Sequence, residues 1–155
     1  MSGCLLSTLP SRLRALGELR SAKELLLLAR LVIFAATVPL LMRLPLPHVA
    51  ALLTRPPRRP RPATAEIERL ERLIALAPRV VGPLVRPGCL TRGITLFWYL
   101  RRAGLDVELR FGLDALPDTK TEGHCWLSLD GEPFLEKRDP RPRFTESYRL
   151  PCQVA

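Results

Sequence analysis

The chain has 155 residues, enough for one hydrophobic core with a helical appendage. Lys and Arg total 24 against 15 Asp and Glu, which gives a formal net charge of +9, and the excess lies before residue 93. A solvated arginine-rich surface, an acidic peptide partner or an anionic membrane surface would each suit this charge. Nucleic acid is disfavoured as a partner, because the basic run 55–62 lacks interleaved aromatic residues and fits no recognition helix.

The cysteine pattern argues against structural zinc and against secretion. Cys4, Cys89, Cys125 and Cys152 are irregularly spaced, and none of them forms a CxxC pair. No secretory signal with a small-residue cleavage site is evident after Met1. We therefore expect reduced thiols in a cytoplasmic protein that needs no metal and no cofactor.

Residues 1–54 are apolar and helical in pattern. Ser21 and Glu24 have the spacing of a capping box, in which Ser21 is the N-cap of the helix that follows. The segment ends where a Pro- and Arg-rich stretch, residues 55–63, predicts an extended, stiff linker. The composition thus separates an N-terminal helical segment from a second domain at 64–155.

The apolar run 25–42 approaches the length of a membrane span. Arg30 lies well inside the run, where a charge is costly in a bilayer, and Pro39 lies near its end. These residues favour buried or membrane-surface helices over a true span. His48, in the proline-broken stretch that follows, is interpreted as a bystander.

Two helices open the second domain. The first begins at Thr64, continues to Ala77 and ends at Pro78. The second extends from about Leu90 to Ala103 and is apolar around most of its circumference, which predicts a buried central helix. Gly104 follows at the position expected of a C-cap.

After that helix, the apolar residues alternate with polar ones, which predicts strands. Asp130-Gly131 is a strong hairpin signal, and the prolines after residue 138 suggest an irregular tail. The predicted fold class is therefore α+β, with helices followed by an antiparallel sheet. The predicted strands cover 105–111, 124–129 and 134–136, with a loop at 112–123.

Cys89 and His124 are the candidate catalytic residues. Cys89 follows the chain-breaking pair Pro87-Gly88 and stands where a helix begins. Unpaired N–H groups and the helix dipole stabilise a thiolate at that position. A strand beside the helix could bring the imidazole of His124 to the sulfur. The pattern predicts a cysteine nucleophile with a histidine base, and N–H groups at the helix start to hold an oxyanion.

The register of the hairpin decides which acid orients His124. A three-residue loop, 129–131, would place Glu136 directly across from His124, whereas a four-residue loop would place Asp139 there. A two-residue turn would send Glu136 to the opposite face. Glycine at the third position favours the three-residue loop. Glu136 is therefore the predicted third residue, and Asp139 is the alternative.

Other interpretations of these residues compete with catalysis. A single cysteine before a buried helix is most often a small buried hydrophobic residue. Cys125 is a poor candidate nucleophile, because adjacent strand residues point to opposite faces and it cannot readily pair with His124. Cys4 and Cys152 lie near the termini without evident partners. Trp126 shares the face of His124 and could form a wall of the cleft.

Two motifs resemble those of the transglutaminase-like leader peptidases of lasso-peptide biosynthesis, the family of the microcin-processing protein's C-terminal domain. The family's Cys-Leu-x-Arg-Ser is matched by Cys89, Leu90 and Arg92, with Gly93 in place of Ser. Its His-Ala-Trp-Val-Glu and following Gly are matched by His124, Trp126 and Gly131, with Cys125 in place of Ala. The resemblance is specific over residues 85–136.

This resemblance implies a transglutaminase-like, papain-like core, in which a buried catalytic helix packs on a small antiparallel sheet. Residues 64–155 would then be a cysteine peptidase domain with a Cys-His-acid arrangement. The family's acid is often Asp, a dozen residues after the His, and that count reaches Glu136 here. Within the motifs, Trp126 and Arg92 are the candidate substrate-binding residues.

The implied reaction is removal of the leader from a ribosomally made lasso-peptide precursor. No strand-rich leader-binding pattern precedes residue 64, so we expect a stand-alone peptidase. Its partners would be the precursor peptide, a separate leader-recognition protein and an ATP-dependent synthetase that closes the lactam ring. Two alternatives remain: a non-catalytic scaffold that tethers maturation enzymes at the membrane through residues 24–42, and acyl transfer to an amine by the same catalytic pair.

Overall fold

The computed structural model describes residues 17, 19, 21–54, 62–81, 85, 88–114 and 122–151. Cys4, Cys152 and most of the predicted linker lie outside these residues. Within them the chain has the predicted α+β fold, with helices followed by a four-stranded antiparallel sheet. The elements are α1 (Ala22–Leu41), α2 (Leu46–Leu53), α3 (Thr64–Val81), α4 (Cys89–Ala103), β1 (Glu108–Asp114), β2 (Gly123–Leu129), β3 (Glu132–Phe134) and β4 (Phe144–Leu150).

Helix α1 begins at the predicted N-cap. Ser21 has extended backbone, and its hydroxyl accepts a hydrogen bond of 3.3 Å from the N–H of Glu24. The Glu24 side chain is only 5% exposed, and its carboxylate lies 2.5 Å from Arg72 and 3.4 Å from Arg69. A buried carboxylate is tolerated where such cations compensate its charge. Glu24 therefore attaches the start of α1 to α3.

One core contains residues from both sides of the predicted linker. Helix α1 packs against α3 and α4, and its buried face includes Leu28, Leu31 and Val38. By length and composition alone α1 could cross a membrane, and about a third of it is buried within the protein. The apolar N-terminal half thus contributes to the same core as the half that contains Cys89.

Helix α3 continues to Val81, so the prediction that Pro78 ends it was wrong. A proline removes one helical hydrogen bond and crowds the preceding turn, which usually ends or kinks a helix. Here Val80 and Val81 are partly buried against the core, and that packing favours one more turn. Because Pro78 lies close to the C-terminus, few hydrogen bonds depend on it.

Helix α4 lies against β1 and β2, and the sheet has the order β3-β2-β1-β4. The predicted C-cap is confirmed, since Gly104 has φ 105° in the left-handed region. Ile94, Leu96, Phe97 and Leu100 of α4 are fully buried, as its apolar pattern predicts. A rigid central helix therefore holds Cys89 at its first position.

The turn between β2 and β3 differs from the prediction. Leu129 pairs with Glu132, so the loop is the two-residue Asp130-Gly131 turn rather than a three-residue loop. Both residues have positive φ, 53° and 87°, as a type I′ turn requires. Aspartate tolerates the left-handed conformation, so no third loop residue is needed. As a result β3 covers Glu132–Phe134 instead of 134–136.

The tail predicted to be irregular contains β4, which pairs with β1 along the edge of the sheet. Alternation is visible from Phe144 to Leu150, but the surrounding prolines obscured it. Those prolines, at 140, 142 and 151, lie outside the strand, where they remove none of its hydrogen bonds. Strand β1 also extends to Asp114, three residues into the predicted loop.

Candidate active site

Cys89 is the first residue of α4 and is partly exposed. The N-cap residue, Gly88, has no side chain with which to satisfy the first N–H groups of the helix. The pKa of Cys89 is lowered from 9.0 to about 5, chiefly by a hydrogen bond from the Cys125 side chain. Partial burial opposes this shift, while the N–H of Cys125 and the imidazole of His124 add to it. Cys89 is therefore a thiolate at neutral pH.

Cys125 supplies the largest part of that stabilisation. It lies in the middle of β2, is 3% exposed, and belongs to the core on the side of the sheet that α4 covers. Its pKa is raised, first by the hydrogen bond to Cys89 and then by burial and by the charges of Cys89 and Glu136. The two thiols thus differ in their roles: Cys125 stays protonated, and its S–H donates a hydrogen bond to the Cys89 thiolate.

His124 is held between two aromatic rings and one carboxylate. Its ring stacks on Phe144 at a centroid distance of 5.0 Å and on Trp126 at 6.1 Å. Its Nε2 lies 3.7 Å from Oε2 of Glu136, which is within ion-pair range but longer than a hydrogen bond. Since Nε2 faces the carboxylate, Nδ1 is the ring nitrogen left to exchange a proton with Cys89.

Glu136 reaches His124 by a route that hairpin register alone does not predict. Extending the observed β2–β3 pairing would place Glu136 opposite Cys125, on the wrong face. The strand ends at Phe134, however, and Leu135 adopts φ 58° in the left-handed region. This conformation redirects the chain, so that Glu136 points towards the imidazole. The alternative acid, Asp139, lies on the surface and binds Arg141.

Arg92, one of the two predicted substrate-binding residues, fixes the position of Glu136. Its guanidinium donates to Oε1 of Glu136 at 3.0 Å, to the carbonyl of Leu135 at 2.5 Å and to Glu71 of α3 at 3.2 Å. These bonds join α3 and α4 to the residue with unusual backbone. The other candidate, Trp126, is 2% exposed and supports the ring of His124. Substrate binding by Arg92 and Trp126 stays a prediction.

The two departures from the leader-peptidase motifs touch each other. A Cβ at Gly93 would lie 3.0 Å from Sγ of Cys125 and 3.1 Å from Cδ1 of Leu109. Such contacts are tighter than packed side chains normally allow. The space that a side chain at position 93 would need is thus taken by the Cys125 sulfur and by Leu109.

A small cavity of about 40 Å³ lies beside the first turn of α4. Leu31 of α1, Ile74 of α3, and Gly88 and Thr91 are among the residues that line it. The N-terminal helix therefore contributes to the surroundings of the nucleophile. Within the described parts of the chain, no group of three or more His, Cys, Asp or Glu is arranged to hold a metal ion.

These features define a thiolate site in which a cysteine at a helix start meets a histidine on an antiparallel sheet. The transglutaminase-like superfamily matches residues 28–149, well over half of the chain, and the chain therefore belongs to that superfamily. Its members are commonly cysteine peptidases or transferases. The match begins within α1 and continues across the predicted linker. No curated protein and no solved structure matches the chain.

Sequence reasoning identified Cys89, His124 and Glu136, which the fold brings together, but it missed the part played by Cys125. Strand alternation places Cys125 on the face opposite His124, which argues against direct pairing of these two residues but not against contact with Cys89. That face is the one on which α4 lies. The available signal was that both Gly93 and Cys125 differ from the motifs that the sequence resembles.

Proposed function

We propose that this protein is a cysteine peptidase that removes the leader from a ribosomally made lasso-peptide precursor. The observation that supports it most is the convergence of the Cys89 thiolate, the His124 ring and the Glu136 carboxylate at one end of α4. Such a set provides a nucleophile, a proton carrier and an orienting acid. The two motifs over residues 85–136 support the choice of substrate.

In the proposed reaction the Cys89 thiolate attacks the scissile carbonyl, and a tetrahedral oxyanion forms. The N–H groups of the first turn of α4, including that of Cys89, stabilise this oxyanion. His124 gives a proton to the leaving amine, and the C–N bond breaks to leave a thioester. Water then attacks the thioester while His124 accepts its proton, and hydrolysis regenerates the thiolate.

The proposal includes partners. The chain would act on the precursor together with a separate leader-recognition protein, and an ATP-dependent synthetase would close the lactam ring on the released core peptide. The basic composition of the chain, with its net charge of +9, suits an acidic peptide or protein partner. A cytoplasmic location fits these partners.

Mass spectrometry of the precursor, incubated with this protein and the leader-recognition protein, tests the proposal. Cys89→Ala and His124→Ala should each abolish leader release without unfolding the protein. His48→Ala is the matched control, because His48 is the other of the chain's two histidines and is exposed on α2. Release of the leader at the native rate by Cys89→Ala would refute the assignment. A product carrying an added amine in place of water would instead indicate acyl transfer.

A non-catalytic scaffold or membrane tether is the second candidate, and the outer face of α1 favours it. Leu25, Leu26, Ile33 and Leu40 are each more than half exposed, an arrangement that suits a partner or a membrane surface. A scaffold would bind precursor without turning it over. It would also show no more labelling of Cys89 by iodoacetamide at neutral pH than of Cys4 or Cys152.

A further inference from the structure

We infer that Cys89 and Cys125 form a reversible disulfide under oxidation, so that the second thiol serves as the resolving cysteine of the nucleophile. This inference goes beyond the proposed function and does not depend on peptide cleavage. It concerns two reduced cysteines that lie next to each other, one at the start of α4 and the other in β2.

The contact rests on two separate observations. Cys125 is the strongest influence that lowers the pKa of Cys89, through both its side chain and its N–H, and Cys89 packs against the core cluster that contains Cys125. The Cys125 sulfur also lies 3.0 Å from the position of a Cβ on Gly93, one helical turn after Cys89. Cys125 therefore faces the first turn of α4, next to Cys89, as a disulfide between the two residues requires.

Cys89 is accessible to an oxidant from solvent and Cys125 is not, which is the difference that an oxidised nucleophile and its resolving cysteine require. Cys89 is partly exposed at a helix start, and nothing lies within 4 Å of the position of a Cβ on the preceding Gly88. A peroxide can therefore reach Cys89, and the helix end has room to adjust. Cys125 is buried in the middle of a strand, so peroxide cannot oxidise it first.

In the first step the Cys89 thiolate attacks hydrogen peroxide: an S–O bond forms, the O–O bond breaks, and hydroxide leaves to be protonated by solvent. In the second, the Cys125 sulfur attacks the sulfenic sulfur, forming the S–S bond as the S–O bond breaks. The proton of Cys125 leaves with that oxygen as water. The two sulfurs together lose two electrons, and the peroxide is reduced to water.

Oxidation of Cys89 also frees Cys125 to react. The hydrogen bond to the Cys89 thiolate is the largest cause of the raised pKa of Cys125, and the Cys89 charge is a further cause. Both disappear when the thiolate becomes a sulfenic acid. The disulfide would inactivate the nucleophile while protecting it from irreversible oxidation, and a dithiol reductant would restore it.

The test uses the full chain, hydrogen peroxide, and a dithiol reductant added afterwards. Peptide mapping by mass spectrometry should find a cross-link between the peptides of Cys89 and Cys125, with the loss of two hydrogens. Reductant should then restore alkylation of Cys89 by iodoacetamide. In Cys125→Ser and Cys125→Ala, the same treatment should convert Cys89 to sulfinic acid, and reductant should not restore its alkylation.

The double variant Cys4→Ala/Cys152→Ala is the matched control, since it retains only the proposed pair and should behave as the unmodified chain does. Loss of the cross-link in that variant would overturn the inference, as would equal recovery of alkylation in Cys125→Ala. These measurements follow the thiols directly. A protein that forms the disulfide but releases no leader would contradict the proposed function and leave this inference standing.

Discussion

The chain contains two thiols in contact whose pKa values shift in opposite directions. Cys89, at the start of α4, has a pKa of about 5, whereas burial in β2 and the hydrogen bond to Cys89 raise that of Cys125. Each sulfur shifts the pKa of the other, but the helix start and the nearby imidazole favour charge on Cys89. The comparison shows that reactivity here is set by which elements surround a cysteine.

Short of removing Cys89 or His124 themselves, the largest expected effect comes from Glu136, the acid beside the imidazole. Glu136→Gln keeps the shape of the side chain but removes its charge, so we expect about a hundredfold loss of kcat for leader release. Asp139→Asn should leave the rate unchanged, because Asp139 lies on the surface with Arg141. Steady-state kinetics of both variants checks this. A larger loss for Asp139→Asn would mean that the wrong acid was assigned.

The next prediction concerns removal of the Cys125 S–H, the donor whose hydrogen bond lowers the pKa of Cys89. The alkylation rate of Cys89 should rise with a midpoint near pH 5, the pKa of its thiol. Cys125→Ala removes the S–H donor and should move that midpoint upward by about one to two pH units, the shift expected for losing a hydrogen bond to a charged group. Cys125→Ser keeps a donor and should shift the alkylation midpoint less. Equal pH midpoints for alkylation in the unmodified chain and in Cys125→Ala would show that Cys125 is not the donor.

The lowered pKa of Cys89 also predicts how the free energy of unfolding depends on pH. Because the pKa of Cys89 in the folded protein lies below its ordinary value of 9.0, the thiolate stabilises the fold. That contribution is fully present above about pH 9 and is lost as the pH falls towards 5. Urea unfolding of the unmodified chain between pH 5 and pH 9 measures this dependence.

Local signals predicted the parts of the fold that local chemistry determines. The N-cap at Ser21, the start of α4 near Cys89 and the C-cap at Gly104 follow from side-chain and backbone preferences of a few residues. Alternation also located β2 around His124. For these elements the sequence was sufficient.

Features that depend on contacts between distant residues could not be predicted in this way. Strand β4 exists because it pairs with β1, and its proline-rich surroundings concealed it. Glu136 was identified through an incorrect hairpin loop, and it reaches His124 because Leu135 turns the chain. The bonds from Arg92 that hold this turn join two helices to the segment after β3, and no local pattern indicates them.

The smallest effect concerns how closely Gly93 of α4 packs against the Cys125 sulfur of β2. Gly93→Ala should be poorly tolerated in the unmodified chain, since its Cβ would lie 3.0 Å from the Cys125 sulfur. In a Cys125→Ala background that contact is absent, and the helix preference for alanine over glycine, about 1 kcal/mol, should become apparent. Thermal or urea unfolding of the two single variants and the double variant measures the coupling, which we expect to be about 0.5–1 kcal/mol in favour of the double variant. Additive effects would mean that Leu109, rather than the sulfur, limits the space at position 93.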